Sequence, residues 1–294
     1  MLPPSRTSIA MPKGACDCHV HVFGPFDKYP LAAKRSYTPP PATVADLIAR
    51  MDTAGVDRAV IVQPSAYGTD NRATLDGVRA YPRRLRAVAV IDGSESEAAL
   101  EEMHAAGTHG VRLNIISGGG PSAATFEAMI TRIAERIARF KWHIQVYAPI
   151  ATLAANARLL ERLPLDIVLD HMGQPDAAAG VGQPGFDTLL SLLRTKKFWV
   201  KLSGPYRTSP DPLGNADVVK IAQRLAATAP DRAVWGSDWP HIGEHAGAAG
   251  TAAPPVEYRP IDYGRLLSVA ADWVEDEVAL RKVLVDNAAR LYGF

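Results

Sequence analysis

Hydrophobic and polar positions along this 294-residue chain follow two rhythms. Short, nearly continuous apolar runs occupy 15–22, 58–64, 85–91, 110–115, 143–148, 165–171, 198–203 and 232–238. Most are separated by stretches whose apolar residues recur at helical spacing, at 44–54, 71–81, 95–106, 125–140, 150–163, 185–195 and 217–229. Val219, Ile221, Ala222, Leu225 and Ala226 illustrate the second rhythm. That period lays one face of a helix on a core, whereas a short unbroken run suits a strand covered on both sides. Eightfold alternation of strand and helix predicts an α/β fold, a single (β/α)8 TIM-type barrel with eight parallel strands. An open doubly wound sheet fits less well. No Gly-x-Gly-x-x-Gly follows the first run, and chemically capable residues end many runs instead of lining one crevice. In this reading residues 15–294 form the barrel domain and 1–14 a flexible lead-in. Residues 269–293 supply closing helices, and 23–41 and 243–263 are long loops leaving the rim after the first and eighth strands.

The same pattern marks the candidate chemistry. The first run carries Asp17, His19 and His21, the sixth ends on Asp170 and His171, and the eighth ends on Asp238. Barrel enzymes place their active sites at the C-terminal ends of the strands, so these side chains should converge at one rim. Strand alternation puts Asp17, His19 and His21 on one face, read as the barrel interior, and Cys16, Cys18, Val20 and Val22 on the other, under the helices. Asp170 has the parity opposite to His171 and is read as structural. An Asp at the end of an apolar strand needs partners, and imidazoles or a metal supply them. Two imidazoles at i and i+2 can serve one metal or one oxyanion. Arg112 and Asn114 should point inward from the fourth strand, and a buried Arg needs an anion, either a planar carboxylate ligand or an internal partner. Lys201 also faces inward. A Schiff-base role is open to it, and an ion pair with a carboxylate such as Asp238 is the simpler use. His241 should hydrogen-bond near the site; His104, His109 and His245 receive no role.

Composition narrows the class. Formal net charge is +1, from 32 Lys and Arg against 31 Asp and Glu, which leaves no electrostatic footprint for nucleic acid or an anionic membrane. No stretch approaches the ~18 apolar residues of a membrane span. The only cysteines are Cys16 and Cys18, too close along one strand to bridge readily, so a reducing, cytoplasmic setting is expected. A C-x-C metal pair is the alternative use of these thiols. An oligomer remains open.

In combination, Asp-x-His-x-His on the first strand, Asp-His-Met-Gly on the sixth and Trp-Gly-Ser-Asp-Trp-Pro-His on the eighth resemble the amidohydrolase superfamily. More narrowly they resemble its branch of 2-pyrone-4,6-dicarboxylate lactonases and related lactone hydrolases. Val62-Gln63-Pro64-Ser65, Gly68-Thr69-Asp70-Asn71, Gly110-Val111-Arg112-Leu113-Asn114 and the stretch 287–293 extend the resemblance over nearly the whole chain. It implies a hydrolase that opens an acidic lactone in aromatic-compound catabolism. Asp238 would be the general base, and His19, His21 and His171 would donate hydrogen bonds to the lactone carbonyl. Arg112, Tyr147, Ser65, Arg207 and Tyr37 would contact substrate. The chain departs from metal-dependent members of the superfamily. Its fourth strand offers Arg112 and Asn114 in place of Lys, and its fifth ends Gln145-Val146-Tyr147 where many place a His. These departures argue against a two-metal site, and the resemblance to the lactonase branch, which works without metal, implies that no cofactor is required. The alternative is one divalent ion, zinc by preference, on His19, His21, His171 and Asp238. The extra Arg of the dicarboxylate enzymes has no counterpart in Ser117-Gly118-Gly119-Gly120-Pro121, which widens the substrate to other acidic lactones. A metal-dependent decarboxylase of an aromatic or muconate-type acid and a sugar-acid lactone isomerase are the rival activities, and an inactive ligand-sensing barrel is a third.

Overall fold

A computed structural model describes residues 1–115, 123–211, 213, 217–244 and 253–294. The eight strands are β1 (Cys16–Val20), β2 (Arg58–Val62), β3 (Leu85–Ala89), β4 (Thr108–Asn114), β5 (His143–Tyr147), β6 (Ile167–Leu169), β7 (Phe198–Ser203) and β8 (Ala233–Gly236). They pair in sequence order and all in parallel. The ring closes just past β8. Asp238 N donates to His19 O at 2.8 Å, His21 N donates to Trp239 O at 2.8 Å, and Val20 bridges Trp239 in parallel. The architecture is the (β/α)8 barrel that the alternation predicts.

The helices follow the apolar periods. They are α1 (Val44–Ala54), α2 (Arg72–Ala80), α3 (Glu97–Ala105), α4 (Ala123–Ile137), α5 (Ile150–Ala155), α6 (Ala157–Arg162), α7 (Phe186–Arg194), α8 (Val218–Thr228), α9 (Tyr263–Val269), α10 (Glu277–Arg281) and α11 (Asn287–Tyr292). Local chemistry sets α1 at both ends. Thr43 and Asp46 form a reciprocal capping box, and Gly55 stops the helix at φ 76°. The single helix expected over 150–163 is two, broken at Asn156, whose amide donates to Thr152 O at 2.9 Å. Among the described residues no helix is long and apolar enough to cross a membrane.

One expectation about β1 is overturned. Cys16 and Cys18 pack with Val60, Val62, Val88, Val168, Trp199 and Val234 in the barrel interior, not under the helices. Asp17 points outward, where Tyr263 of α9 donates to it at 2.9 Å. The reason is a bulge. Asp17 pairs with Ala59 and Val20 with Ile61, so three steps along β1 match two along β2. The extra residue reverses the alternation. His19 and His21 therefore still face the interior, by a route that period-two counting does not anticipate. The thiols are free and 3.8 Å apart.

The two long loops meet over the rim. Thr38 N donates to Pro254 O (2.9 Å), Val256 N donates to Thr38 O (3.0 Å), and Tyr258 OH donates to Pro40 O (2.5 Å). Residues 1–14 lie against α1 and α9. Ser5 Oγ donates to Asp262 Oδ1 at 2.6 Å and Arg50 Nη2 donates to Leu2 O at 2.8 Å.

Closure of β8 on β1 leaves no room at Gly236. A Cβ there would lie 2.7 Å from His19 Cβ and 2.9 Å from His19 N. Gly236→Ala is expected to destabilise the fold by about 1–3 kcal/mol, as overpacking of a close contact does. Urea unfolding checks this; an unchanged midpoint would mean that the seam is looser than described.

Candidate active site

β1 and the end of β8 deliver the centre of the site. Asp238 follows β8 at φ 62°, a left-handed backbone costly for Asp and held there by the seam. Its Oδ1 lies 3.3 Å from His21 Nε2 and 3.6 Å from His19 Nε2. Its Oδ2 accepts from Tyr206 OH at 2.5 Å and from Arg207 Nε, with His171 Nε2 3.9 Å away. The three imidazoles and Asp238 are almost wholly buried. His171 follows β6 at φ 47°, so the chain turns there and both Asp170 and His171 aim inward. Asp170 shares the parity of Val168, which faces the barrel interior, so it supports the site from within; the expectation that it points away took His171 as the inward position, and His171 reaches the site only through its turn. Its Oδ2 accepts from Arg112 Nε and from Gln145 Nε2, each at 2.9 Å.

The other candidates gather around this centre. The Tyr147 ring stands edge-on to His171 at 5.0 Å, with the Arg112 guanidinium 4.9 Å and the Arg207 guanidinium 5.8 Å from its centroid. Tyr37 hydrogen-bonds Ser65 within the electrostatic reach of Arg112, Arg207 and Asp238. Ser65 and Arg112, with Gln63, Asn114, Ile91 and Met129, line a cavity of about 250 Å³ beside the centre. The nine residues to which the resemblance gives catalytic or substrate-contacting roles are therefore neighbours. The stretch 117–121, read as lacking an Arg, lies outside the described residues, as does His245. Lys201 pairs differently from the expectation. Its Nζ donates to Gln145 Oε1 at 2.6 Å and faces Asp170 Oδ1 at 3.8 Å, not Asp238. His241 packs edge-on against Tyr206 at 5.9 Å.

Sequence reasoning missed Gln145 and Tyr206. Gln145 shares parity with Tyr147 and could have been found that way. Tyr206 stands in a turn after β7, where no period applies.

Electrostatics fix the resting charges. Burial pushes the Asp238 carboxyl up, but Arg207, then His171, His21 and His19, outweigh it and hold it well below the usual range. Burial likewise opposes ionisation of Asp170, and His19, Arg112 and Lys201 together keep it an anion. Burial lowers His19 strongly, lowers His21, and takes His171 down to about 3. These rings are neutral at ordinary pH. His21 Nδ1 lies 2.7 Å from Val62 O, which can only accept, so the neutral ring carries its proton on Nδ1. Its Nε2 then turns a lone pair toward Asp238. His19 Nε2, His171 Nε2 and Asp238 Oδ1 have no hydrogen-bond partner. Buried atoms of this kind call for a ligand. An imidazole whose Nδ1 donates to a carbonyl while Nε2 stays open is the arrangement found at metal sites. His19, His21 and Asp238 have ligand atoms mutually within 4.8 Å, as do His19, Asp170 and His171. The residues present fit one divalent ion.

Stability should depend on pH through the buried rings. His171 and His241 are lowered to about 3 and His109 to about 4, in each case chiefly by burial. An unfolded imidazole takes up its proton near pH ~6.5. Between these values the unfolded chain binds protons that the folded one refuses, so stability falls as pH drops below about 6.5. Asp17, raised by burial to about 6, works the other way with a single proton. Urea midpoints should therefore decline from pH ~6.5, well above the carboxylate range; a flat profile down to pH ~5 would contradict neutral burial.

The family model described as amidohydrolase matches residues 16–294. A 2-pyrone-4,6-dicarboxylate hydrolase of Comamonas testosteroni is 37% identical, over 98% of this chain and 93% of its own. A 4-sulfomuconolactone hydrolase of Hydrogenophaga intermedia is 35% identical, over 96% and 90%. The crystal structure of a putative 2-pyrone-4,6-dicarboxylic acid hydrolase from Pseudomonas putida superposes with a TM-score of 0.80 at 33% identity, covering 96% of this chain and 98% of that one. With its barrel, its rim of imidazoles around one carboxylate and this kinship, the chain belongs to the amidohydrolase family.

Proposed function

We propose that the protein hydrolyses a carboxylate-bearing lactone, 2-pyrone-4,6-dicarboxylate or a related acidic lactone, by attack of water on the ring carbonyl. One observation carries this reading. Asp238 Oδ1 is a buried carboxylate oxygen without a donor, facing imidazoles at 3.3 and 3.6 Å, beside two guanidiniums that flank one tyrosine ring. Kinship with hydrolases named for acidic lactones supports the substrate class. The two free thiols support a reducing, cytoplasmic location.

Each residue then has a task. Arg112 and Arg207 receive the substrate's acid group, with Tyr147, Tyr37 and Ser65 shaping the pocket around the ring. In the resting site Arg207 suppresses the basicity of Asp238. A substrate carboxylate that draws Arg207 away from Oδ2 restores it. Oδ1 takes a proton from water as the water oxygen bonds to the lactone carbonyl carbon. The carbonyl becomes an oxyanion, which collapses with cleavage of the ring C–O bond. Asp238 returns its proton to the departing ring oxygen, and a hydroxy acid leaves. Ser203 Oγ, 2.9 Å from His171 Nδ1, can donate to that nitrogen, which leaves the His171 proton on Nε2 and makes His171 the imidazole able to donate to the oxyanion.

A divalent ion such as zinc would be held by His19, His21 and Asp238 with His171 beside them. Bound there, it supplies Lewis-acid polarisation and lowers the pKa of water. The lone pair of His21, facing a carboxylate across the centre, favours such an ion over the metal-free site that the sequence suggests.

Three outcomes follow. Asp238→Asn should lower turnover of an acidic lactone at least 10³-fold with the fold intact by circular dichroism, on the scale of losing an essential base; near-normal hydrolysis would remove Asp238 as base. Arg207→Met should cut the preference for acidic over neutral lactones by roughly tenfold or more, the loss of one charged contact; equal loss on both would remove the anion clamp. Dialysis against a chelator should abolish hydrolysis across a lactone panel and zinc should restore it, whereas full activity after chelation would leave His171 as the polarising group.

A further inference from the structure

Beneath the site a single carboxylate touches both of its halves. Asp170 Oδ2 takes two hydrogen bonds, from Arg112 Nε and Gln145 Nε2, each at 2.9 Å. Oδ1, fully buried, has no bonded partner and faces His19 Nδ1 at 3.4 Å and Lys201 Nζ at 3.8 Å. An anionic oxygen in such a place needs a donor. Two neighbours compete for His19 Nδ1. Asp170 Oδ1 can accept from it, and Lys201 Nζ can donate to it, each at 3.4 Å. The choice decides where the His19 proton resides, and so which face the ring shows to Asp238.

Each tautomer would satisfy one orphan oxygen, and the geometry favours Asp170: its Oδ1 lies 3.4 Å from Nδ1, whereas Asp238 Oδ1 lies 3.6 Å from Nε2 and is the oxygen left to the attacking water. Lys201 already donates to Gln145 Oε1 at 2.6 Å, and Gln145 passes its own amide protons to Asp170. Asp170 Oδ1 has no such alternative. With the proton on Nδ1, Asp170 gains its missing donor and His19 Nε2 presents a lone pair, as His21 Nε2 does. With the proton on Nε2, Asp170 Oδ1 keeps only the ammonium at 3.8 Å. We propose that Asp170 is a positioning residue that holds the His19 proton on Nδ1 while bracing Arg112 for the substrate's acid group. The carboxylate thereby ties the orientation of a reacting-centre imidazole to that of the anion clamp. The kinetic consequence rests on the lactone reading; the placement of the proton does not.

The test uses the full chain labelled with 15N-histidine and freed of metal by chelator, so that no ion dictates the tautomer. Long-range 1H–15N correlations separate Nδ1–H from Nε2–H rings. Wild-type His19 is expected as Nδ1–H. Asp170→Asn should shift it toward Nε2–H, because Lys201 then becomes the dominant neighbour of Nδ1. Lys201→Met should leave it on Nδ1. In kinetics, Asp170→Asn should lower kcat on an acidic lactone about 10²-fold, the scale of losing the outer partner of a working imidazole. In a His19→Ala background the same substitution should lower kcat by less than about threefold, since coupled residues are not additive. Wild-type His19 found as Nε2–H overturns the proposal, and so does an unchanged tautomer in Asp170→Asn with only a lowered Tm. Should Asp170→Asn fail to fold, wild type still decides, because His19 found as Nε2–H would give the Nδ1 contact to Lys201, whose ammonium can only donate to it. A wild-type protein that turns over no lactone defeats the functional reading and leaves the tautomer result standing.

Discussion

Everything at the rim depends on the seam where β8 closes on β1. Two backbone hydrogen bonds of 2.8 Å, between residues 238 and 19 and between 21 and 239, fix Asp238 against His19 and His21. Asp17 locks the same seam from outside. Its Oδ1 accepts from His19 N (3.1 Å) and Ser237 N (2.9 Å) while Tyr263 holds Oδ2. The bulge, the left-handed Asp238 and the glycine at 236 all serve this approach. A seam with regular pairing and side chains throughout could not bring a carboxylate and two imidazoles from opposite ends of the chain onto one point.

The charges concentrated there do not serve stability. Asp170 and Asp238 are fully buried, as is Lys201, and Arg112 is nearly so. Burying ions is unfavourable unless geometry and hydrogen bonds compensate, and an apolar replacement is often at least as stable. The compensation here is layered. Asp170 is shared by Arg112 and Lys201 on one side, and Asp238 pairs with Arg207 on the other. Between the layers lie His19 and His171, each with an open ring nitrogen. With two carboxylates against three cations the site keeps one surplus positive charge and several open hydrogen-bonding atoms, which suits it to receive an acidic ligand.

The barrel was legible because its signals are periodic. Apolar runs marked all eight strands, and the helix at 44–54 was found at its observed limits. That His19, His21, His171 and Asp238 come together was legible because they end strands of one barrel, whereas Ser65, Tyr147, Arg207 and Tyr37 were indicated by the family resemblance. What escaped was whatever breaks a period. The bulge at β1 inverted the faces of Asp17, Cys16 and Cys18 while leaving His19 and His21 in place. Asp170 shares the inward parity of Val168, and it is His171 that its positive-φ turn brings into the site against the alternation, while Tyr206 lies beyond any strand. Ion-pair partners such as Asp170 for Lys201 are a matter of three-dimensional distance, which spacing along one strand does not encode.

In the proposed reaction Asp238 activates water and does not itself attack the lactone. A single turnover in 18O-water, with enzyme in excess over an acidic lactone, separates the two. Water attack puts one 18O into the new product carboxylate and leaves the enzyme unlabelled. Product free of 18O, with the label instead on the side chain of Asp238, would show a covalent acyl-enzyme in which Asp238 is the nucleophile and not the base.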